Sequence, residues 1–258
     1  MCRWGAYIGA PVFLSDEVTS PCNSLIQQAS AAEQSKSTIN ADGFGLAWYD
    51  HRADPGHYRD VYPAWSDANL ASLTQQVRSG LFLAHVRAST GTAISRNNCH
   101  PFVNENWSFM HNGQVGGYER FRKAADMAIP DALYQNRKGA TDSEALFLIT
   151  LGMGLDADPH AALQRATGAM IAMGRDVDET DPLVRMTVAM SDSKRLFAAR
   201  YANDPYAPSL YYRWNAASKG WSVVSEPYDL GDDWQEVPPG SFCTFDGEDC
   251  NIEPFEPT

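Results

Sequence analysis

No stretch of the chain approaches the ~18 apolar residues that a membrane-spanning helix needs, so no membrane span is expected. Basic charge is scarce. Twenty lysines and arginines stand against 32 aspartates and glutamates, a formal net charge of −12. No basic stretch interrupts that balance, so no nucleic-acid partner and no anionic membrane surface are expected. The N-terminus lacks the basic region, long apolar core and small-residue cleavage site of a secretory signal. The five cysteines (Cys2, Cys22, Cys99, Cys243 and Cys250) are odd in number and widely spaced, with no CxxC pair. This argues against a disulfide framework and fits a reducing cytoplasm, the expected location. Internal repeats and low-complexity linkers are also missing.

What remains is an ordinary globular composition, 44% hydrophobic and 20% charged over 258 residues, enough for a substantial core. One domain over residues 1–258 is expected. Residues 4–10 and 43–49 read as strands bounded by glycines, and the apolar run 80–88 as a buried strand. Residues 107–111 read as a short strand ending at Asn112-Gly113, a turn signal. Helices are expected from Asp67 to Ser79, from Gly117 to Met127, and from Pro159 to about Arg175, the last with Leu163, Met170 and Ile171 toward the core. In ATDSEALFLITLGMG, Thr141 and Glu144 have capping-box spacing, and Leu146, Ile149, Thr150 and Met153 fall on one helical face. The last third reads as strands again: a pair around Ser-Asp-Ser-Lys, then SLYYRW, GWSVVSE and GSFCTF. Strands joined by short turns, with helices grouped between them, imply antiparallel sheets and an α+β fold.

Cys2 follows the initiator methionine. Removing Met1 would place a thiol, with a pKa of about 8.5, and a free α-amino group, at about 7.7–8.0, on one residue. The amine could then take the thiol proton without a separate histidine. Cysteine is also among the residue types most often buried, so position alone leaves an inert Cys2 open. Three other segments carry candidate chemistry. AHVRASTG places Arg87 at a strand end before small hydroxyl residues, FMHNGQ holds Asn112-Gly113, and ATDSEA puts Asp142 in a first helical turn. Each has a bland counterpart: an ordinary ion pair, a common turn, and a favourable helix-dipole charge.

Taken in order, Met-Cys, DGFG, HVRAST, HPF, HNG and TDSE resemble the class II glutamine amidotransferases, members of the N-terminal nucleophile hydrolases. The chain is most similar to their stand-alone subgroup, which includes the γ-glutamyl amidohydrolases of ergothioneine biosynthesis. NADGFGLAWYD (40–50), NCHPFVNENWSFMHNGQ (98–114), GATDSEALF (139–147) and SEPYDLGDDWQEVPPGSF (225–242) carry that likeness. It implies a four-layer αββα sandwich of two antiparallel sheets between helices. It also implies hydrolysis of a γ-glutamyl amide through a Cys2 thioester, with no cofactor and no metal. Cys2 would be the nucleophile, and Asn112 and Gly113 the oxyanion hole. Arg87 would bind the substrate α-carboxylate with help from Thr90, a grip suited to a guanidinium fork. Asp142 would accept the α-ammonium. The partner is a small γ-glutamyl molecule, either glutamine with a separate ammonia-accepting synthase or a larger γ-glutamyl compound.

Two positions depart from the synthase-linked relatives. Ala88 replaces an aromatic after the arginine, which could widen the pocket near the γ-substituent, and Arg3 replaces glycine after the nucleophile. His85, His100 and His111 match no zinc spacing and read as structural, with His111 orienting the oxyanion segment. Two other readings stand beside this one. A penicillin acylase or bile-salt hydrolase type of amidase would need an apolar acyl pocket. A non-catalytic γ-glutamyl-ligand binder gains ground if Met1 is retained, because the amine base is then blocked.

Overall fold

The computed structural model describes residues 2–32, 34, 39–89 and 91–258. The chain opens on β1 (Arg3–Phe13) and two short helices, α1 (Leu14–Val18) and α2 (Leu25–Ala31). The hairpin β2 (Phe44–Tyr49) and β3 (Gly56–Asp60) leads through α3 (Ala68–Gln76) to β4 (Arg78–Val86). A second hairpin, β5 (Phe102–Asn104) and β6 (Trp107–Val115), precedes α4 (Tyr118–Ala128), α5 (Asp131–Tyr134), α6 (Asp142–Gly152) and α7 (Pro159–Asp178). The chain then returns to strands: β7 (Val184–Ser191), β8 (Leu196–Ala202), β9 (Tyr211–Asn215), β10 (Gly220–Val224), β11 (Gln235–Glu236), β12 (Ser241–Asp246) and β13 (Asp249–Pro254).

Two antiparallel sheets result, with strand orders β11-β9-β10-β1-β4-β2-β3 and β13-β12-β8-β7-β6-β5. Alternation along the strands builds the layers. Trp4, Ala6 and Ile8 of β1 meet Met110, Ala189 and Phe245 of the second sheet, while Tyr7 between them packs with Leu14, Val18 and Leu25 of α1 and α2. On the far side, Phe109 and Val188 of the second sheet pack on Phe121, Phe147 and Met170 of α4, α6 and α7. The order is helices, sheet, sheet, helices, the expected αββα sandwich. No helix among the described residues is long and apolar enough to cross a membrane.

The strands expected at 4–10, 43–49, 80–88 and 107–111 fall on β1, β2, β4 and β6. Three expectations need correction. The helix expected to reach Ser79 ends at Gln76, because Val77 is extended and Arg78 already pairs with Phe13. Helix α6 is not one-sided. Ser143 through Thr150 are all buried, as expected of a helix enclosed on every side, and Met153 lies beyond it as the C-cap. Thr141 does cap α6, accepting the Glu144 N–H at 3.2 Å. The Glu144 carboxylate turns instead to the Lys138 and Gly139 N–H groups and to Arg137. The third correction concerns Asn112-Gly113, which is no turn. Pairing with β7 runs unbroken from Ser108↔Ser191 to Val115↔Val184, so the two residues lie inside β6.

Candidate active site

Cys2 immediately precedes β1, and Arg87 immediately follows β4. These strands run antiparallel with Arg3 opposite Val86, so the two residues meet at the same sheet end. The half-buried Cys2 Sγ accepts the Ala88 N–H at 3.4 Å and lies 3.5 Å from the Ala88 carbonyl oxygen. Burial pushes the thiol above its usual pKa. The Ala88 N–H and the Arg87 and Arg3 charges act in the opposite direction.

Arg87 is almost fully buried. Its guanidinium donates to the Asp42 carbonyl at 3.3 Å, Ser89 Oγ at 3.1 Å and Thr92 Oγ1 at 2.7 Å. Among the described residues no carboxylate forms an ion pair with it. The Asp42 carboxylate is engaged by the Ser89 N–H at 2.7 Å. Such a buried cation, held by neutral oxygens, favours an incoming anion. Thr90 lies outside the described residues. Ser89, Thr92 and the Asp42 carbonyl were not singled out in the sequence, although the run of hydroxyls after Arg87 pointed to their neighbourhood.

Asn112 is wholly buried, and neither its Nδ2 nor its Oδ1 has a hydrogen-bond partner among the described residues. A buried amide left unmatched in this way is uncommon and calls for a role. Gly113 has φ +149°, and a side chain there would strike the Arg185 carbonyl and come within 2.9 Å of His111 Nε2. Here glycine serves close strand approach rather than chain reversal.

Asp142 opens α6. Its Oδ2 accepts the Val115 N–H at 2.8 Å and its Oδ1 the Ser143 N–H at 2.8 Å. A carboxylate has about four acceptor positions, so capacity remains for a ligand. Thr92, Gly113, Glu119 and Asp142 line one cavity of about 210 Å³, together with residues 114–118. The Arg87 cradle, the β6 glycine and the helix-start aspartate therefore converge, with Cys2 joined to them through Ala88.

Longer-range ties went unseen in the sequence. Trp4 donates its indole N–H to Thr187 Oγ1 at 3.1 Å, and that hydroxyl lies 3.5 Å from the Asn112 carbonyl oxygen. His111 Nδ1 lies 2.8 Å from Ser143 Oγ, which is 3.2 Å from Asp142 Oδ1. His85 and His100 pack ring against ring at 4.3 Å. Among the described residues no group of three or more His, Cys, Asp or Glu side chains is arranged to hold a metal.

The fold is that of N-terminal nucleophile glutamine amidotransferases. Glutamine phosphoribosylpyrophosphate amidotransferase of Bacillus subtilis superposes with a TM-score of 0.63 at 15% identity, over 100% of this chain and 50% of that one. A glutamine aminotransferase class-II domain protein from Silicibacter pomeroyi superposes at 0.80 with 46% identity, over 100% of both chains. Residues 13–212 match the family model for class-II glutamine amidotransferases, and the chain belongs to that family of enzymes. It is 31% identical to the γ-glutamyl-hercynylcysteine sulfoxide hydrolase of Mycolicibacterium smegmatis, over 92% of each chain. It is 30% identical to a probable glutamine amidotransferase of Saccharomyces cerevisiae, over 99% of this chain and 84% of the relative.

Proposed function

We propose that residues 1–258 form one catalytic domain that hydrolyses a γ-glutamyl amide through a thioester on Cys2. The observation that carries the reading is the contact of the Cys2 thiol with Ala88, the residue after a buried Arg87 that has no carboxylate counter-ion among the described residues. Arg87 takes the substrate α-carboxylate between the Ser89 and Thr92 hydroxyls. Asp142 takes the α-ammonium. This clamp presents the γ-carbonyl to Cys2. Because burial raises the thiol pKa, the neutral thiol predominates and a base is needed at attack. The Cys2 α-amine, free once Met1 is removed, accepts that proton. As the S–C bond forms, the Asn112 amide and the Gly113 N–H stabilise the oxyanion, a term worth about 2.7–4 kcal/mol per donor. The C–N bond then breaks, the leaving amine takes the proton, and water releases glutamate from the thioester.

Similarity along nearly the whole chain to a γ-glutamyl-hercynylcysteine sulfoxide hydrolase supports a γ-glutamyl compound larger than glutamine as substrate. Ala88, small beside the thiol, leaves room for such a leaving group. Glutamine hydrolysis would instead call for a separate synthase to receive ammonia. The carboxylate-lined cavity favours either reading over an apolar-acyl amidase. Glutamate release by Met1-free protein, from glutamine and from γ-glutamyl amides of increasing size, tests the proposal. Loss of at least about 10³-fold in Cys2→Ala supports it. Undiminished release by Cys2→Ala contradicts it.

A further inference from the structure

Arg3 touches no substrate group in the chemistry described above, yet it follows Cys2 directly and bonds its carbonyl. Its side chain is 0% exposed and that of its partner Glu226 is 2% exposed. Arg3 Nε lies 3.1 Å from Glu226 Oε2, off the line of a hydrogen bond. Nη1 donates to the Cys2 carbonyl oxygen at 3.3 Å, and Nη2 donates to the Gln34 carbonyl. Glu226 is itself fixed. Its Oε2 accepts the Gln34 N–H at 3.1 Å, its Oε1 accepts Asn23 Nδ2 at 3.4 Å, and its backbone carbonyl accepts Gln28 Nε2 at 3.1 Å. Alternation sends Arg3 to the face of β1 opposite Trp4.

Building on the γ-glutamyl hydrolysis reading, we infer that Arg3 and Glu226 are positioning residues that hold the Cys2 carbonyl and set the charge felt by its amine and thiol. The guanidinium fork bridges the Cys2 and Gln34 carbonyls, and its Nη1 bond restrains the rotation of the residue carrying both groups, which lie one Cα from the Cys2 carbonyl. A guanidinium beside Cys2 disfavours the ammonium and favours the thiolate, and Glu226 partly cancels this. Residues of opposite charge therefore have opposite effects. Among the described residues, the other charged or titratable groups that act on or are acted on by Cys2 are Arg87 at the end of β4 and the buried Cys99 thiol. The Asp42 carboxylate is held by the Ser89 N–H. The variants of Arg3 and Glu226 leave the side chains of all these groups in place.

Two readouts on Met1-free protein test this: the acidic limb of kcat/KM for γ-glutamyl-p-nitroanilide, and the pH midpoint of iodoacetamide alkylation at Cys2. Glu226→Gln leaves the Arg3 charge uncancelled and moves both to lower pH by about 0.5–1 unit. Arg3→Gln leaves Glu226 behind the nucleophile and moves both to higher pH by a similar amount. The double variant returns both midpoints to within about 0.3 unit of wild type, because the two shifts cancel. Arg3→Lys keeps the charge and the midpoint but loses the fork, and kcat falls at least about threefold. Shifts of the same sign in the two single variants, or no shift, overturn the inference. If the single variants do not fold, an unchanged kcat in Arg3→Lys overturns it. A wild type that alkylates at Cys2 but releases no Cys2-dependent product contradicts the hydrolysis reading instead, and the alkylation midpoints still decide this one.

Discussion

Trp4 Nε1 donates to Thr187 Oγ1 at 3.1 Å across the interior between the sheets, and Thr187 lies opposite Asn112 in the β6–β7 ladder. The strand that follows Cys2, the proposed nucleophile, is thereby tied to the strand that carries Asn112 and Gly113, the proposed oxyanion donors. Trp4→Phe removes only the indole donor and its ring volume. It should cost about 1–2 kcal/mol in urea unfolding and lower kcat about tenfold by misplacing the two halves of the site, with a smaller change in KM.

Arg87→Lys keeps the charge and loses the fork that Ser89, Thr92 and the Asp42 carbonyl hold in place. The expected result is a fall in kcat/KM of about 10²-fold, mostly through KM. Cys2 alkylation should proceed near the wild-type rate, because the thiol rests on the Ala88 backbone rather than on the guanidinium.

Asn112→Ala removes an amide that forms no hydrogen bond within the described protein, so its structural cost should be small. Its catalytic cost should be a drop in kcat of about 10²–10³-fold. Gly113→Ala should behave differently, since its new methyl meets the Arg185 carbonyl. Both stability and activity should be lost, and calorimetry beside kinetics separates the two cases.

Stability should carry two opposing pH trends. Burial pushes Glu17 up to about 7, with Ser222 Oγ donating to it at 2.9 Å. The folded state therefore binds more protons than the unfolded state between pH 4.5 and 7, and stability falls as pH rises through that window. Glu17→Gln should stabilise the protein at pH 8 by on the order of 2–3 kcal/mol, with the gain gone near pH 4.5. Burial pushes His85 down to about 3, assisted by Arg87 and His111. There the unfolded state binds more protons between about pH 3 and 6.5, so stability falls as pH drops. His85→Gln should flatten the acid limb of the urea midpoint, leaving the part due to His100 and His111, whose pKa values burial also lowers.

The layers and most strands were legible because apolar runs and turn residues report local backbone preference directly. Helix α6 misled the periodicity argument because neighbours enclose it on all sides, which erases the one-sided pattern that amphipathic reasoning needs. Asn112-Gly113 misled for another reason. The same dipeptide serves a tight turn or a close strand approach, and only the Arg185 carbonyl across the ladder decides which. Cys2, Arg87 and Asp142 were singled out through motif order. Thr187, Ser143 and Glu226 were not, since their partners lie 183, 32 and 223 residues away in sequence, and topology alone brings them together.

The central claim is that Cys2, as an N-terminal residue, attacks the γ-carbonyl of a γ-glutamyl amide. Intact-mass and peptide mapping of Met1-free protein after exposure to a glutamine-mimicking diazoketone tests this most directly. The account predicts one adduct per chain, located on Cys2, slowed by added glutamate, and lost in both Cys2→Ala and protein that retains Met1. An adduct on another residue, or none on processed wild type, would contradict it.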